Sequence, residues 1–304
     1  MSLPEPPFDP PPPAKPQRLK RGDYLILAAC AAFAGVLYYR LAYAIPYEWD
    51  WSAVPSFFVY YDEETGYRQN VLLVGLLNML RIMVYATVLS LILGLGLALM
   101  RLSAQAWLRW LARVIVEFVR NIPPLVFLFI FYFFVSDMLF PLLGIRDLAN
   151  ALSRSESTLV WVLLGEAAFI ENVIAGVICL SLFEAAYVSE ILRAGIEAVG
   201  RDQREGARAV GLTPSQEMRY VVLPQALRKV IPPLVGQLIT LIKDTSIMSV
   251  ISIQEFTFAG SEVVISTGRI FEVWITVAVV YFLLCFALSS LSQRLEAGQQ
   301  GARR

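Results

Sequence analysis

Six stretches of this chain are apolar over about the twenty residues that a helix needs to cross a hydrocarbon layer. They are Tyr24–Tyr43, Val71–Met100, Ile122–Leu143, Ala168–Val188, Ile231–Ile253 and Phe271–Ser292. No other feature restricts the fold so strongly. The composition agrees: 57% of the 304 residues are hydrophobic and 16% charged, against about 45–50% and about 25% in soluble domains. The expected fold class is an all-α integral membrane protein with about six transmembrane helices. The start of the fourth span is open. Leu159–Gly165 is also apolar, and Glu166, Glu171 and Asn172 separate it from the main run. That piece is either a partly buried periplasmic segment or an earlier beginning of the span.

The first 17 residues carry eight prolines and have almost no apolar mass to bury. They read as a polyproline or disordered tail. A basic cluster follows at Lys15, Arg18, Lys20 and Arg21. A cleaved secretory signal would place its charges at the very start and end its apolar run in small residues. The run from Tyr24 ends instead in Tyr-Tyr-Arg-Leu-Ala-Tyr, so it reads as a retained helix.

Basic residues orient the bundle. With the N-terminus inside, 18 of the 25 Lys and Arg fall on cytoplasmic segments, and seven of those lie in the loop 190–230. Acids such as Asp62, Glu63, Glu64, Asp147, Glu156, Glu255 and Glu262 fall outside. The positive-inside rule therefore predicts cytoplasmic N- and C-termini. The expected division is a cytoplasmic tail at 1–23, a first helix at 24–44, a transmembrane domain at 70–292 and a cytoplasmic tail at 293–304.

Several function classes drop out. The chain has no histidine, which removes a His-based catalytic triad and any His-ligated metal site. No catalytic set and no metal site are expected. The net charge is zero, with no basic excess for a nucleic acid. Cys30, Cys179 and Cys285 stand far apart in apolar runs and read as buried thiols.

The loop 190–230 is too patterned for a linker. Gln203–Val210 reads as a short helix that Gly211 ends with a positive φ. Thr213 then caps a second piece with Pro214 at its first position and Glu217 early in its body. Met218, Val221 and Val222 give that piece an apolar side. Two short helices about a glycine turn make a knob able to dock into another protein.

The spacing Glu205-Gly206-Ala207, then Gly211, then Val221-x-Leu223-Pro224 resembles the Glu-Ala-Ala loop of ABC importer permeases. Gly206 departs from the usual alanine, at about 1 kcal/mol to the first helix. Further stretches are similar to the polar amino-acid branch of that family: Val116-Glu-Phe-Val-Arg-Asn-Ile-Pro-Pro-Leu125, Tyr187-Val-Ser-Glu-Ile-Leu-Arg193, Ile231-Pro-Pro-Leu234 and Lys243-Asp-Thr-Ser246. Gly75-Leu-Leu-Asn-Met-Leu-Arg81 is similar to the general L-amino-acid importers. Together the motifs cover about residues 70–292.

The resemblance implies a type I permease bundle, multi-pass in the bacterial cytoplasmic (inner) membrane. It implies a second permease subunit, identical or homologous, two cytoplasmic ATPase subunits and a periplasmic or lipid-anchored amino-acid-binding protein. The loop at about 203–224 would couple the chain to the ATPases, through Glu205, Gly206, Ala207, Gly211, Leu223 and Pro224. The chain has no GxxxxGK[ST] loop, so ATP and Mg would be used by the partner and no cofactor held here.

Arg81 and Lys243 lie within spans, where charges face partners or aqueous pathways. Either cation could meet a substrate carboxylate, and Asp244 the amino group. The structural alternatives are a Lys243 pair with Glu184 and an Arg81 that snorkels to the outer interface. Asn78, Glu184, Tyr187, Gln237 and Thr245 complete the candidate pathway, with interhelical hydrogen bonding as their plainer role. Glu117 with Arg120, and Glu190 with Arg193, have the spacing of structural ion pairs. Ala104–Val116, with Trp107 and Trp110, reads as an amphipathic surface helix. Gly94 and Gly96 suit close helix packing. Competing functions are a same-family permease for another solute, such as an opine or a basic amino acid, and an ATP-independent channel or scaffold.

Overall fold

The computed structural model describes residues 21–40, 47–64, 66–155 and 157–301. The chain divides into two compact units, Met1–Trp49 and Asp50–Arg304. In the first, helix α1 spans Arg21–Tyr39, and its apolar part, Gly22–Phe33, is shorter than a full membrane span. The expected first span continues past residue 40 into residues outside those described, where the proline-rich segment also lies.

The second unit opens with a 3-10 turn at Trp51–Ala53, α2 (Val54–Phe58) and a hairpin of β1 (Val59–Asp62) and β2 (Gly66–Gln69), paired from Val59↔Gln69 to Asp62↔Gly66. Helices α3 (Val71–Leu102) and α4 (Ala106–Asn121) follow. Then come α5 (Pro124–Ile130), a π-helical stretch at Phe131–Ser136, α6 (Asp137–Leu142), α7 (Ile145–Ser153) and α8 (Thr158–Leu164). Helix α9 (Ile170–Glu197) leads to α10 (Arg201–Ala209), α11 (Pro214–Gln216), a second π-helical stretch at Glu217–Val222 and α12 (Leu223–Thr245). A 3-10 stretch at Ser246–Ile251, α13 (Phe256–Thr267) and α14 (Ile270–Gly301) complete the order.

Among the described residues four helices are long and apolar enough to cross a bilayer: Val71–Leu102, Ile170–Glu197, Pro214–Ile251 and Ile270–Gln293. The pair Ala106–Asn121 and Pro124–Phe134, bent by 112°, raises the number to five if it forms one span. The bend has a local cause. A residue before proline is pushed out of the α region, and Ile122 and Pro123 are extended at ψ 135° and 137°. The expected third span runs as one helical stretch from Pro124 to Leu142, and α4, expected as an amphipathic surface helix, is turned sharply against its start.

Inside lipid, close packing of small residues takes over from the hydrophobic effect in holding helices together. α3 and α9 meet at Gly94, where a Cβ would stand 2.6 Å from Val188 Cγ1 and 3.0 Å from the Ala185 carbonyl. Gly75 lets α3 approach α13 in the same way, with Ala259 2.5 Å from the place a Cβ would take. At Gly195 a Cβ would overlap Val230, which sets the crossing of α9 and α12. Gly96 has open space around it among the described residues. The main core gathers Ile82, Leu128, Leu180, Met248, Ile251 and Ile253. A second core holds Phe57, Leu72, Met79, Phe256 and Val273, so the segment before α3 belongs to the bundle. Much of α14 is left open, with Phe282, Leu283 and Phe286 exposed.

Polar ties fix the ends. Asn70 caps α3 by accepting from Val71 N at 2.8 Å, and its amide donates to Ser56 O at 2.7 Å. Glu255, expected among the outer-loop acids, is instead fully buried. It caps α13 through Phe258 N at 2.8 Å and accepts from the Tyr281 hydroxyl at 2.9 Å. A carboxylate at a helix N-terminus meets both unsatisfied N–H groups and the positive end of the dipole, so this acid is stable where a loop acid would not be.

Candidate functional site

The knob after α9 follows from its sequence. Gly211 takes φ +85°, which lets the α10 end close on itself: Leu212 N donates to Ala207 O at 3.1 Å and Gly211 N to Arg208 O at 2.9 Å. Thr213 caps α11 reciprocally with Gln216, by Gln216 N to Thr213 Oγ1 at 3.4 Å and Thr213 N to Gln216 Oε1 at 2.9 Å. Pro214 takes the first position. Val222 and Ala226 bury their side chains against Ile196 and Val199, with Leu102 and Met218 packed alongside. Ala207 is buried, whereas Glu205, Gly206, Gly211, Leu223 and Pro224 are exposed.

One acid organises the interior of the knob. Glu217 is buried at 4% exposure. It accepts from Arg208 Nε at 2.8 Å, with Arg204 Nη1 at 4.0 Å. The hydrogen bond to Glu217 holds the Arg208 guanidinium above its ordinary range. Arg204 also donates from Nη2 to Ile196 O at 2.8 Å, and Lys229 Nζ donates to Ala198 O at 2.5 Å. The last carbonyls of α9 are therefore capped by cations from α10 and α12. Nearby, Glu190 pairs with Arg101 and Arg193, and with Arg120 at 3.9 Å, joining α3, α9 and α4. The expected Glu190–Arg193 pair is present. Arg120 turns to Glu190 and lies over the Tyr187 ring at 5.6 Å, while Glu117 takes the Asn121 amide on its carbonyl at 2.7 Å.

The eight candidate pathway residues fall into separate sets. Glu184, Gln237 and Asp244 come together. Glu184 is fully buried. Its Oε2 accepts from Gln237 Nε2 at 2.7 Å, and Oε1 has no hydrogen-bond partner. The Asp244 carboxyl stands beside it. Glu184 and Gln237 line a cavity of about 200 Å³ with Thr87, Ser90, Leu91 and Val188. Lys243 does not pair with Glu184, as the structural alternative had it. It is exposed on α12, because the residue that points inward at this turn is its neighbour Asp244.

Asn78 and Arg81 form a different set. Arg81 Nε donates to Val162 O at 3.0 Å and Nη2 to Trp161 O at 3.2 Å. Its Nη1 donates to Asn78 Oδ1 at 2.7 Å, and Asn78 Nδ2 to Gln254 O at 3.0 Å. Tyr85 adds its hydroxyl to Leu163 O at 2.8 Å. The carbonyl end of α8 engages the Arg81 guanidinium. Thr245 belongs to a third set. It bonds Ile242 O at 2.6 Å and lies 3.4 Å from the Tyr281 hydroxyl. Tyr187 packs with Phe183 at 5.3 Å between ring centres.

Sequence reasoning missed Arg204, Tyr85 and Tyr281, and placed Glu217 without its role. Arg204 and Arg208 are four apart on one helix, and so are Arg81 and Tyr85, the spacing that lets two side chains serve one target. That signal was readable for both pairs, but the targets lie too far along the chain to be read with it.

A membrane-embedded helical bundle that carries a compact capped knob beside a set of inward-facing polar groups defines a transport permease. Residues 71–300 match the family described as binding-protein-dependent transport system inner membrane component, and the chain belongs to it. It is a multi-pass protein of the cytoplasmic membrane and an amino-acid ABC importer permease. It is 36% identical over 211 residues to the probable glutamine ABC transporter permease protein GlnM of Bacillus subtilis, which covers 68% of this chain and 85% of that one. It is 33% identical over 250 residues to the glutamate/aspartate import permease protein GltK of Escherichia coli, covering 82% and 98%. Among solved structures, an amino acid ABC transporter with histidines superposes with a TM-score of 0.60 at 30% identity, over 75% of this chain and 93% of the other. The inward-facing MetNI methionine ABC transporter, at 18% identity and a TM-score of 0.53 over 74% and 96%, shares the fold.

Proposed function

We propose that this chain carries amino acids inward by alternating access, driven by ATP hydrolysis on cytoplasmic partner subunits that grip residues 203–224. The observation that carries this reading is the knob. Its far side is exposed at Glu205, Gly206 and Gly211, while its near side is tied to α9 by Arg204 and to α12 by the Gln225–Gln203 hydrogen bond. A surface built that way receives a push from outside and delivers it to the bundle, which is rigid-body switching. The assembly has a second permease subunit, two ATPases and an external binding protein, and both termini of this chain face the cytoplasm.

Glu184, Gln237 and Asp244 form the candidate substrate contact. Glu184 and Gln237 line the cavity and Asp244 stands beside Glu184, and this set of two carboxyls and an amide suits the ammonium that every amino acid carries. The relatives are named for glutamine and for glutamate/aspartate. Their shared zwitterion, not their side chains, matches this chemistry. The side chain is selected by the binding protein.

The test is uptake of labelled amino acids into proteoliposomes holding the full complex. Uptake is expected to need ATP, and Glu184→Gln is expected to lower it by about tenfold or more, the weight of one charged hydrogen bond. Uptake that persists without ATP would make the chain a channel.

A further inference from the structure

Motion of the knob passes straight into α12, because Pro214–Ile251 is one continuous helical run, but it reaches α9 only through whatever fastens the two together. The backbone link between α9 and α10 is three residues, Ala198–Gly200, and Gly200 has open space around it. Such a link bends readily at the glycine. Apolar packing of Val199 against Val222 and Ala226 resists separation, but it is non-directional and tolerates sliding. A directional fastening needs a charged hydrogen bond with fixed geometry. Arg204 supplies it. One guanidinium reaches two bodies: Nη1 lies 4.0 Å from the Glu217 carboxylate inside the knob, and Nη2 donates at 2.8 Å to Ile196 O at the end of α9.

Arg208 offers an internal control. Its bond to Glu217 is the shorter at 2.8 Å, yet its side chain is 66% exposed and its bond to Glu217 stays inside the knob. Were the arginines only to hold the knob in shape, Arg208 would matter more. Were one of them to transmit motion, Arg204 would.

We propose that Arg204 is the positioning residue that converts displacement of the knob into displacement of α9, with Glu217 orienting its guanidinium. This rests on the coupling role given to the knob above. Coupling between distant parts is carried by packed contacts with two arrangements that both ends bias. Here the chain runs from Arg204 to the end of α9. About two turns back along the same helix, Glu190 gathers arginines of α3 and α4.

The measurement is made on the full complex in proteoliposomes, with ATP hydrolysis and amino-acid uptake followed in the same preparation. Arg204→Ala is expected to keep the ATPase subunits bound and hydrolysis within about twofold of the wild type. Substrate moved per ATP is expected to fall about fivefold or more, within the usual range of coupling between sites. Arg208→Ala loosens Glu217 within the docking surface and is expected to lower hydrolysis and uptake in parallel, so that the ratio stays near the wild-type value. Arg204→Lys keeps the charge but loses the planar fork and is expected to restore only part of the ratio.

An unchanged ratio in Arg204→Ala would overturn the proposal, as would an equal loss of the ratio in Arg208→Ala. A parallel fall of hydrolysis and uptake in Arg204→Ala with the ATPases released would also overturn it, because the arginine would then only shape the docking surface. Failure of the knob reading itself looks different: the wild-type chain would bind no ATPase, or would take up substrate without ATP.

Discussion

The ends of α8 and α9 both carry side-chain donors from other helices on their last carbonyls, and the two ends are built differently. At the end of α8 both donors, Arg81 and Tyr85, come from a single neighbour, α3. At the end of α9 they come from two elements, Arg204 of α10 and Lys229 of α12. The physical need is the same, since the closing carbonyls lack intrahelical partners and form the negative end of the dipole. The consequence is not. A short helix held by one neighbour is a latch that opens when that neighbour moves. A long helix held by two elements is a joint that passes movement on.

The sharpest way to break this comparison is Arg81→Ala. It removes three charge-assisted contacts at once, and unfolding of the detergent-solubilised protein is expected to be easier by about 2–3 kcal/mol. Amide exchange should quicken across residues 158–164 and stay unchanged in α9. Equal exchange in α8 with and without Arg81 would end the latch description. Gly165→Ala is a related test. That residue sits at φ +90°, with Asn78 Oδ1 2.8 Å and Arg81 Nη1 3.0 Å from an added Cβ, so the same region should loosen although no donor is removed.

At the joint, Lys229→Ala is expected to cost only about 1 kcal/mol, because Lys229 is exposed and Arg204 remains. A larger loss, read by the same unfolding experiment, would mean that the two fastenings are cooperative. Gly206→Ala should act in the opposite direction. The position is helical with open space where a Cβ would go, and a gain of about 0.5–1 kcal/mol is expected from helix propensity and a less flexible unfolded chain.

The smallest effect is expected at the rim, where Arg269 pairs with Asp50 at 2.6 Å. The Ser52 hydroxyl, then Arg269, hold Asp50 below its ordinary carboxylate range. A depressed pKa contributes stability that is present above the ordinary carboxylate range and lost as pH falls through the folded value. Asp50→Asn should therefore flatten the stability profile only in acid, and only slightly at an exposed site.

Legibility in the sequence followed the range of the interaction. The apolar runs, the glycine turn at Gly211, the Thr213 cap and the Glu190–Arg193 pair are local and were readable. The break ahead of the third span was readable too, because its cause, Ile122-Pro123-Pro124, is local and the amphipathic stretch before it differs in pattern from the apolar run after it. The fates of Arg81, Lys243 and Glu255 were not readable. Each depends on which way a helix face turns and on partners far along the chain, such as Trp161 for Arg81 and Tyr281 for Glu255. Of the candidate pathway residues, Glu184, Gln237 and Asp244 come together in one place and Asn78 with Arg81 in another.

The short segment ahead of α3 bears on where this gene can be cut. The family match starts at residue 71, yet Phe57 is part of the core around Phe256, and Asp50 N donates to buried Glu272 at 2.7 Å. A truncated protein beginning at the match would uncover that apolar surface and strip a donor from a buried acid. Expression of the second unit alone should start at Asp50, where the compact body itself begins.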